Sequence, residues 1–415
     1  MLIFDGHLDL AWNALQWNRD LTKPVGQIRE GPQVTVQVVE GYPAPARMDA
    51  TVSLPEMRIG RVGLCFATLL ARSTGRPVAH LDWPSPEQAC AIALGQLGYY
   101  RALENRGHLK VITDLKGLDR QADQWEAWME GRPSILPLAE AIEATASSPA
   151  DLTDIQILER KIEECLRKEY ATRQMHETRE GPADPPRIGV IISMEGADPI
   201  LTPEHLESWH SSGLRVIGLS HFGPGRYAGG TGGDDGLTPL ARPLLDGMRR
   251  LRMILDVTHL SDRAFHEAMR IWDGPVLASH NNCRALVPGR RQFSDQQLKE
   301  VIEREGVIGA VLDAWMLKPD WVRGSTTNEG VTLETVANHI DHVCQLAGDA
   351  KHAAIGSDLD GGFGREQSPS DLDSIADLKK LAPILANRGY KYDDIKGIMH
   401  GNWLALLRRA RVAST

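Results

Sequence analysis

The amino-acid sequence predicts an α/β fold of the (β/α)8, TIM-type barrel class. Apolar runs of strand length alternate with segments of helical periodicity, which is the pattern of repeated βα units around a parallel sheet. Nearly every apolar run is followed by a histidine or an acidic residue, as expected where strand ends converge on the mouth of a barrel. The chain has 415 residues, of which 42% are hydrophobic and 24% charged, enough for one such domain. An open doubly wound sheet is the alternative fold, but it would spread the strand ends along a crevice.

The first strand is predicted at the N-terminus, where an apolar run leads into the sequence Asp-Gly-His-Leu-Asp. Successive side chains of a strand alternate between its faces, so His7 and Asp9 should point in the same direction. An imidazole beside a carboxylate suits a divalent ion such as zinc. An isolated His-x-Asp is more often a structural hydrogen-bonded pair, so this prediction depends on the rest of the chain. We interpret residues 11–53, which lack a sustained period, as an elaborated loop above the strand end.

The remaining elements follow in chain order. The apolar run at 61–70 predicts a second buried strand, and helical spacing after a Ser-Pro-Glu start predicts a helix over 85–105. We expect a mostly helical insertion at about 116–187 within a single domain of residues 1–415. Six further strands complete the predicted eight, at 187–194, 214–220, 253–258, 275–279, 307–312 and 352–357. The apolar run within 108–114 would make a ninth strand, and we leave it out because it is short.

The composition limits the classes of binding partner and indicates the cellular compartment. A net charge of −9 and a pI of about 5.9 argue against a nucleic-acid or membrane surface as the main partner, so we expect a small-molecule substrate. The five cysteines are scattered without Cys-x-x-Cys spacing, which indicates reduced thiols. The sequence shows neither a signal peptide nor an apolar run of about 18 residues. These observations predict a cytoplasmic protein.

Five side chains at predicted strand ends are candidate ligands of two metal ions: His7, Asp9, Glu195, His259 and His280. Glu195 ends an otherwise apolar strand, where an unpaired carboxylate would be costly, and its two oxygens suit a bridging ligand. We expect one ion at His7 and Asp9 and a second, about 4 Å away, at His259 and His280, which together would activate a bridging hydroxide. Each histidine alone is more often structural than a ligand. Their joint position at strand ends favours the metal site.

Further candidates lie at the same mouth. Asp358 follows the last strand and is expected to pass a proton from the attacking hydroxide to the leaving amine, although Asp360 is a rival for this role. His221 is expected to polarise the scissile carbonyl or stabilise the oxyanion. A guanidinium from Arg290 or Arg291 would bind a substrate carboxylate in a bidentate manner, although a solvated surface pair fits their spacing equally well.

Eight short segments, together with Arg291, match the motifs of a known family: 5–10 (DGHLDL), 193–196 (SMEG), 219–221 (LSH), 254–261 (ILDVTHLS), 279–280 (SH), 339–343 (HIDHV), 356–361 (GSDLDG) and 401–404 (GNWL). On these motifs the sequence resembles the renal (membrane) dipeptidases, zinc-dependent members of the amidohydrolase-like barrel enzymes, over nearly its whole length. The resemblance implies two zinc ions bridged by Glu195, with Asp358 as proton shuttle and His221 and Arg291 contacting substrate. It also implies hydrolysis of dipeptides, often with a C-terminal D-residue, and commonly a homodimer.

The sequence departs from the family pattern in three respects. Leu8 replaces a small polar residue, and the secretory and lipid-anchor signals of the mammalian members are not found. The insertion before Glu195 and the loops at 20–50 and 222–236, the latter with seven glycines, are unlike those of the mammalian enzymes, so substrate preference stays open. Two alternatives also stay open: a related barrel amidohydrolase that acts on N-acyl amino acids or lactones, and a non-catalytic metal-binding protein.

Overall fold

The computed structural model of this protein describes residues 1–31, 49–75, 78, 80–130 and 184–410. These residues contain nine strands: β1 (Ile3–Leu8), β2 (Val62–Leu70), β3 (Leu109–Val111), β4 (Ile188–Glu195), β5 (Leu214–Gly218), β6 (Ile254–Asp256), β7 (Val276–Ala278), β8 (Val307–Ala310) and β9 (Ala353–Ile355). Parallel hydrogen bonding joins them in the order β1-β2-β4-β5-β6-β7-β8-β9, with β3 paired to β4 outside this circuit. The circuit is a nearly closed barrel of eight strands, which confirms the predicted fold class.

Buried carboxylates hold neighbouring strands together at their carboxyl ends. The carboxylate of Asp5, on β1, accepts hydrogen bonds from the backbone N–H (2.8 Å) and hydroxyl (2.5 Å) of Ser357, just after β9. Asp256 joins β6 to β7 in a similar way, because its Oδ1 accepts from the backbone N–H groups of Thr258 (3.0 Å) and Ser279 (3.1 Å). These bonds order the chain at the strand ends, where the candidate site residues lie.

Helices surround the barrel: α1 (Leu10–Gln16), α2 (Val25–Glu30), α3 (Leu54–Ile59), α4 (Pro86–Asn105), α5 (Leu115–Met129), α6 (Leu206–Ser211), α7 (Ala241–Arg250), α8 (Asp262–Ile271), α9 (Asp295–Glu303), α10 (Ala314–Leu317), α11 (Leu333–Ala347), α12 (Leu381–Asn387), α13 (Tyr392–Lys396) and α14 (Asn402–Arg409). The predicted helix after Ser85 is confirmed as α4. It begins with a capping box between Ser85 and Gln88. Among the described residues, no helix combines the length and apolarity required to span a bilayer.

The motif at 401–404 joins α14 to the barrel. The side chain of Asn402 donates to the carbonyl oxygens of Ala350 and Ala353, both at 2.7 Å, and Trp403 Nε1 donates to Ile355 O at 2.9 Å. A side-chain Cβ at Gly6 would lie 2.6 Å from the Trp403 ring, so only glycine fits this position of β1. The C-terminal helix therefore supports both strands that border the barrel closure.

The prediction that residues 108–114 contribute no strand is wrong. Leu109–Val111 form β3, which pairs with the first half of β4. The same edge of β4 pairs with β5 further along the strand. Leu109 and Val111 are buried and Lys110 is exposed, so the strand offers only two apolar positions to a sequence pattern. Because β3 lies beside the circuit, the count of eight barrel strands is unaffected.

The interpretation of residues 11–53 as a loop is also wrong in part. This segment contains most of α1 and all of α2, which are 7 and 6 residues long and therefore too short to show a helical period. Residues 32–48 lie outside the described part of the chain. Of the predicted helical insertion, α5 is described, whereas residues 131–183 lie outside the described part as well.

Candidate metal centre

The structure brings all five predicted metal ligands together at the carboxyl ends of the strands. His7 lies near the end of β1 and Asp9 just after it, Glu195 is the last residue of β4, and His259 and His280 closely follow β6 and β7. All five are buried, with exposed fractions between 1% and 7%. Residues from four different strands therefore meet in one buried cluster.

Glu195 stands at the centre of the cluster. Its Oε2 atom lies 3.6 Å from Nε2 of His7, which is itself 3.7 Å from Oδ1 of Asp9. Its Oε1 atom faces the other two imidazoles, at 3.1 Å from Nε2 of His259 and 3.3 Å from Nε2 of His280. The two oxygens of one carboxylate thus face two separate groups of possible ligands, as a bridging residue requires.

A side-chain hydroxyl lies at the Nδ1 atom of each of these three imidazoles: Thr68 at 3.4 Å from His7, Thr231 at 3.0 Å from His259 and Ser279 at 2.9 Å from His280. A hydroxyl oxygen accepts the proton of an Nδ1–H group, which leaves the lone pair of Nε2 directed at a metal. The sequence motifs did not reveal these hydroxyls. Ser279 lies next to a ligand candidate, whereas Thr68 and Thr231 carry no local signal because only the folded chain brings them to their histidines.

Unsatisfied polar atoms indicate that the cluster fits a divalent ion. His7 Nε2 and Asp9 Oδ1 are buried without a hydrogen-bond partner, although they lie only 3.7 Å apart. Leaving such atoms unpaired in the interior is costly, and a cation between them would satisfy both. Imidazole nitrogens with carboxylate oxygens are a ligand set that zinc accepts. The residues present therefore fit a metal site.

The pKa values of the cluster also fit a metal site. Burial raises the pKa of Glu195 to about 8. Attraction to His7 opposes this rise, and repulsion from Asp9 adds to it. Burial is also the main reason that the pKa of Asp358 lies well above its usual value. Burial lowers the pKa of His7, but attraction to Glu195, Asp9 and Asp358 more than offsets it and raises this pKa to about 10. Without a cation, the cluster therefore binds protons to compensate its buried carboxylates, and divalent cations would take the place of these protons.

The two rival aspartates have different surroundings. Asp358 Oδ1 lies 3.7 Å from His7 Nε2, and the side chain lines a cavity over the cluster. The Asp360 carboxylate instead accepts hydrogen bonds from Thr51 N and Oγ1 (both 2.8 Å) and Val52 N (3.0 Å), and it lies 3.2 Å from Arg19. Asp360 therefore holds the chain beside the mouth, and this placement favours Asp358 as the reacting group.

Backbone strain is concentrated beside the cluster. His259, Asp358 and Asp360 adopt φ angles of 66°, 57° and 64°, in the left-handed region that non-glycine residues seldom occupy. Such conformations persist where surrounding contacts impose them, and they are common at functional sites. The strain orients side chains at the ends of β6 and β9 in directions that a regular strand would not provide.

The structure separates the two arginines, Arg290 and Arg291, that spacing alone did not distinguish. Arg291 is buried, donates to Asn281 Oδ1 (2.7 Å) and His280 O (3.0 Å), and lines the cavity. Arg290 lies on the surface and pairs with Asp234 at 2.9 Å. Of these two arginines, only Arg291 is placed to meet a ligand in the cavity.

The cavity has a volume of about 530 Å³, within the range of small-molecule sites. Besides the cluster, it is lined by His221, whose Nε2 lies 3.8 Å from Glu195 Oε1, and by Arg291. Its outer wall contains aromatic residues that the sequence analysis did not identify: Trp12, Phe222, Trp315 and Trp321. Trp12 lies in α1 and Trp315 in α10, whereas Phe222 and Trp321 lie outside the helices and strands, so the four share no sequence signal.

Close packing explains part of the glycine-rich loop at 222–236. A Cβ at Gly230 would lie 1.9 Å from the carbonyl oxygen of His221, so the two limbs of the loop can approach only with glycine there. This approach brings Thr231, the next residue, to His259. The loop therefore orients a ligand candidate of the cluster.

A parallel (β/α)8 barrel whose carboxyl mouth holds buried imidazoles around a shared carboxylate defines the class of metal-dependent barrel hydrolases. A model of the membrane dipeptidase family, peptidase family M19, matches residues 1–415. The chain belongs to this family, which confirms the resemblance seen in the sequence.

Individual relatives agree with this assignment. The chain is 31% identical over 211 residues to an uncharacterised protein of the pqqA 5′ region of Klebsiella pneumoniae, an alignment that covers 49% of this chain and 74% of that protein. It is 29% identical over 233 residues to dipeptidase tcpJ of Claviceps purpurea, covering 54% of this chain and 52% of that enzyme. The chain spans about half the length of the fungal dipeptidases that it matches.

Solved structures share the fold. A metallopeptidase from Rhodobacter sphaeroides, liganded with a phosphinate mimic of the dipeptide L-Ala-D-Ala, superposes with a TM-score of 0.67 at 23% identity over 99% of both chains. The metallopeptidase dipeptidase AC superposes with a TM-score of 0.66 at 24% identity, covering 100% of this chain and 99% of that one. At these identities the likeness establishes the architecture of the barrel.

Proposed function

We propose that this protein is a metal-dependent dipeptidase that hydrolyses the peptide bond of dipeptides. The observation that carries the proposal is the position of Glu195, whose two carboxylate oxygens face His7 on one side and His259 and His280 on the other. Family membership supports peptide hydrolysis, and the relative from Rhodobacter sphaeroides, with its dipeptide mimic, supports a dipeptide as substrate.

Two zinc ions are the proposed cofactors. His7 and Asp9 would hold the first ion, His259 and His280 the second, and Glu195 would contribute one oxygen to each. Bound ions of this kind supply Lewis acidity, which polarises a carbonyl group and lowers the pKa of water. The three hydroxyl partners at the Nδ1 atoms support this assignment, because they orient the imidazoles with Nε2 towards Glu195.

Asp358 is the proposed proton carrier. Its carboxylate lies beside His7 and lines the cavity, so it can reach both the attacking water and the departing nitrogen. Water adds to the carbonyl carbon while Asp358 accepts its proton, and Asp358 then donates that proton to the amine as the C–N bond breaks. One carboxyl group thus serves as base and then as acid.

His221 and Arg291 are proposed to position the substrate. The His221 imidazole lines the cavity next to Glu195, where an N–H group would stabilise the negative charge that develops on the carbonyl oxygen. The buried Arg291 guanidinium would bind the terminal carboxylate of a dipeptide. This contact would favour substrates with a free C-terminus.

We further propose that residues 1–415 form one domain and that the protein acts as a homodimer in the cytoplasm. Within the described residues, Cys65, Cys90, Cys283 and Cys344 are all free thiols, which supports a reducing compartment. The family resemblance supports the dimer. Sedimentation equilibrium of the purified protein tests the oligomeric state directly, because a dimer would have about twice the chain mass of 45.7 kDa.

Hydrolysis of a dipeptide panel tests the activity. Zinc-loaded protein is assayed with Xaa-L-Ala and Xaa-D-Ala, with Xaa varied, beside the Asp358→Asn variant and a chelator-treated sample. We expect turnover that chelation abolishes and zinc restores, and a loss of about 10²-fold or more in kcat for Asp358→Asn. Metal analysis of both proteins separates loss of the proton carrier from loss of the ions.

The same assay discriminates between the alternatives. Two bound zinc ions with no dipeptide turnover, but with cleavage of N-acyl amino acids or lactones, would identify a different barrel amidohydrolase. Bound zinc without turnover of any amide or ester would identify a metal-binding protein. Full activity of Asp358→Asn on dipeptides would remove Asp358 from the proposed mechanism.

A further inference from the structure

His221 differs from the three other imidazoles at the centre in the partner of its Nδ1 atom. Hydroxyl groups face Nδ1 of His7, His259 and His280, whereas a guanidinium nitrogen of Arg72 lies 3.1 Å from Nδ1 of His221. A hydroxyl can accept or donate a hydrogen bond, but a guanidinium has only donors. The Arg72 contact therefore requires Nδ1 of His221 to be the acceptor.

Arg72 is held firmly in this position. It follows β2, and its backbone N–H donates to Leu81 O at 2.9 Å while its carbonyl oxygen accepts from Trp83 N at 2.8 Å. Its Nε lies 3.4 Å from the buried carboxylate of Asp82, which also accepts from the backbone N–H (3.0 Å) and hydroxyl (2.6 Å) of Thr74. Arg72 itself is 8% exposed. Asp82, Arg72 and His221 thus form a chain of contacts that leads from a loop into the cavity.

We propose that Arg72 is a positioning residue that keeps the proton of His221 on Nε2, so that this imidazole donates to substrate instead of binding a metal ion. A neutral imidazole whose Nδ1 accepts must carry its proton on Nε2. Nε2 of His221 lies 3.8 Å from Glu195 Oε1, close enough that Glu195, His221 and His259 satisfy the geometry of a metal site. Distance alone does not exclude His221 as a ligand, but a proton on Nε2 does.

The inference deepens the proposed dipeptidase function and rests on it for its catalytic consequence. With the proton on Nε2, His221 presents an N–H group to the cavity, where the carbonyl oxygen of a substrate gains negative charge. Without Arg72, the proton is free to move to Nδ1, and Nε2 then offers a lone pair that repels the same oxygen. The contact with Arg72 therefore assigns different roles to histidines that lie within a few ångströms of one another.

Nitrogen NMR of the zinc-loaded protein, labelled with ¹⁵N-histidine, tests the tautomer directly. The His221 signals are assigned by their loss in His221→Asn, and spectra of wild type, Arg72→Met and Arg72→Lys are compared. We expect a protonated Nε2 and an unprotonated Nδ1 in wild type and in Arg72→Lys, which retains a donor, and protonation of Nδ1 in Arg72→Met. A protonated Nδ1 in wild type, or an unchanged tautomer in Arg72→Met, would overturn the inference.

Kinetics of the same variants test the consequence. We expect kcat for dipeptides to fall at least about 10-fold in Arg72→Met with KM changed much less, partial recovery in Arg72→Lys, and no change in Arg250→Met, which removes an exposed arginine paired with Glu207. A fall in kcat that added zinc restores would show an effect on metal binding and would overturn the inference. If wild type cleaves no dipeptide, the proposed function fails, while the NMR result still decides the role of Arg72.

Discussion

Acid should destabilise this protein in part through His339, a buried histidine that lies outside the metal centre. His339, on α11, is 2% exposed, and its Nδ1 accepts a hydrogen bond of 3.1 Å from the backbone N–H of Cys283. The Cys283 thiol in turn contacts His339 O at 3.6 Å. These bonds attach the segment that follows His280, and that carries Arg291, to a helix of the outer layer.

The magnitude follows from the pKa of His339. Burial lowers this pKa from 6.5 to about 3, so between these values the imidazole binds a proton in the unfolded chain but not in the folded one. The contribution of the neutral His339 imidazole to the free energy of unfolding is therefore complete above pH 6.5 and declines as the pH falls towards 3. At pH 5, about 1.5 units below the unfolded pKa, the loss is about 2 kcal/mol at 1.36 kcal/mol per unit.

Urea denaturation of wild type and His339→Asn at pH 7.5 and pH 5.0 measures this loss. The asparagine side-chain oxygen can accept the Cys283 N–H without titrating, and a chelator in all samples removes metal binding from the comparison. Between the two pH values, wild type should lose about 2 kcal/mol more free energy of unfolding than the variant.

Equal losses in the two proteins would refute the reasoning, because all other groups titrate in both. A second comparison between pH 7.5 and pH 9 serves as the control, since His339 is neutral in both states there and the difference between the proteins should stay constant. If His339→Asn folds poorly, His339→Gln provides the same test with a longer acceptor.

Three further substitutions test particular contacts. Arg291→Met should raise KM for dipeptides about 10- to 100-fold, because a charge-assisted hydrogen bond contributes about 1.5–3 kcal/mol, whereas steady-state kinetics of Arg290→Met should match wild type. Thr231→Val should weaken zinc binding about 10- to 100-fold in competition with a chelator, and Thr231→Ser, which keeps the hydroxyl, should not. Gly230→Ala should lower the free energy of unfolding by about 1–3 kcal/mol, since its methyl group would lie 1.9 Å from a backbone oxygen, whereas Gly95→Ala, in a helix with open space, should not destabilise. Unchanged KM, zinc affinity or unfolding free energy, respectively, would contradict each expectation.

Local patterns predicted much of the fold. A buried parallel strand is a continuous apolar run, so eight strands were recognised without knowledge of their partners. The pattern failed where elements were short. Leu109–Val111 has only two buried side chains, and Leu10–Gln16 spans about two helical turns. Such elements form because the existing barrel offers an edge or a surface to pack against, which a sequence window does not contain.

The residues of the candidate site were likewise predictable only in part. His7, Glu195 and His280 were identifiable because each ends or follows a strand, and the ends of parallel strands in a barrel converge. Position at a strand end did not distinguish Asp358 from Asp360, and only the family resemblance implied Asp358, because both residues follow the same strand and differ in what the fold places around them. A neighbouring chain segment occupies one carboxylate and leaves the other at the cavity.

The sequence by itself determined the barrel class, the family and the set of metal-ligand candidates, because apolar runs and strand-end residues are properties of contiguous chain. Only the tertiary structure decided which groups surround those candidates. Thr68 and Thr231 reach their histidines, and Arg72 reaches His221, from positions 28 to 149 residues away in the chain. A hydrogen bond acts over about 3 Å of space regardless of separation in sequence, so the protonation and orientation of each imidazole are set by the folded chain.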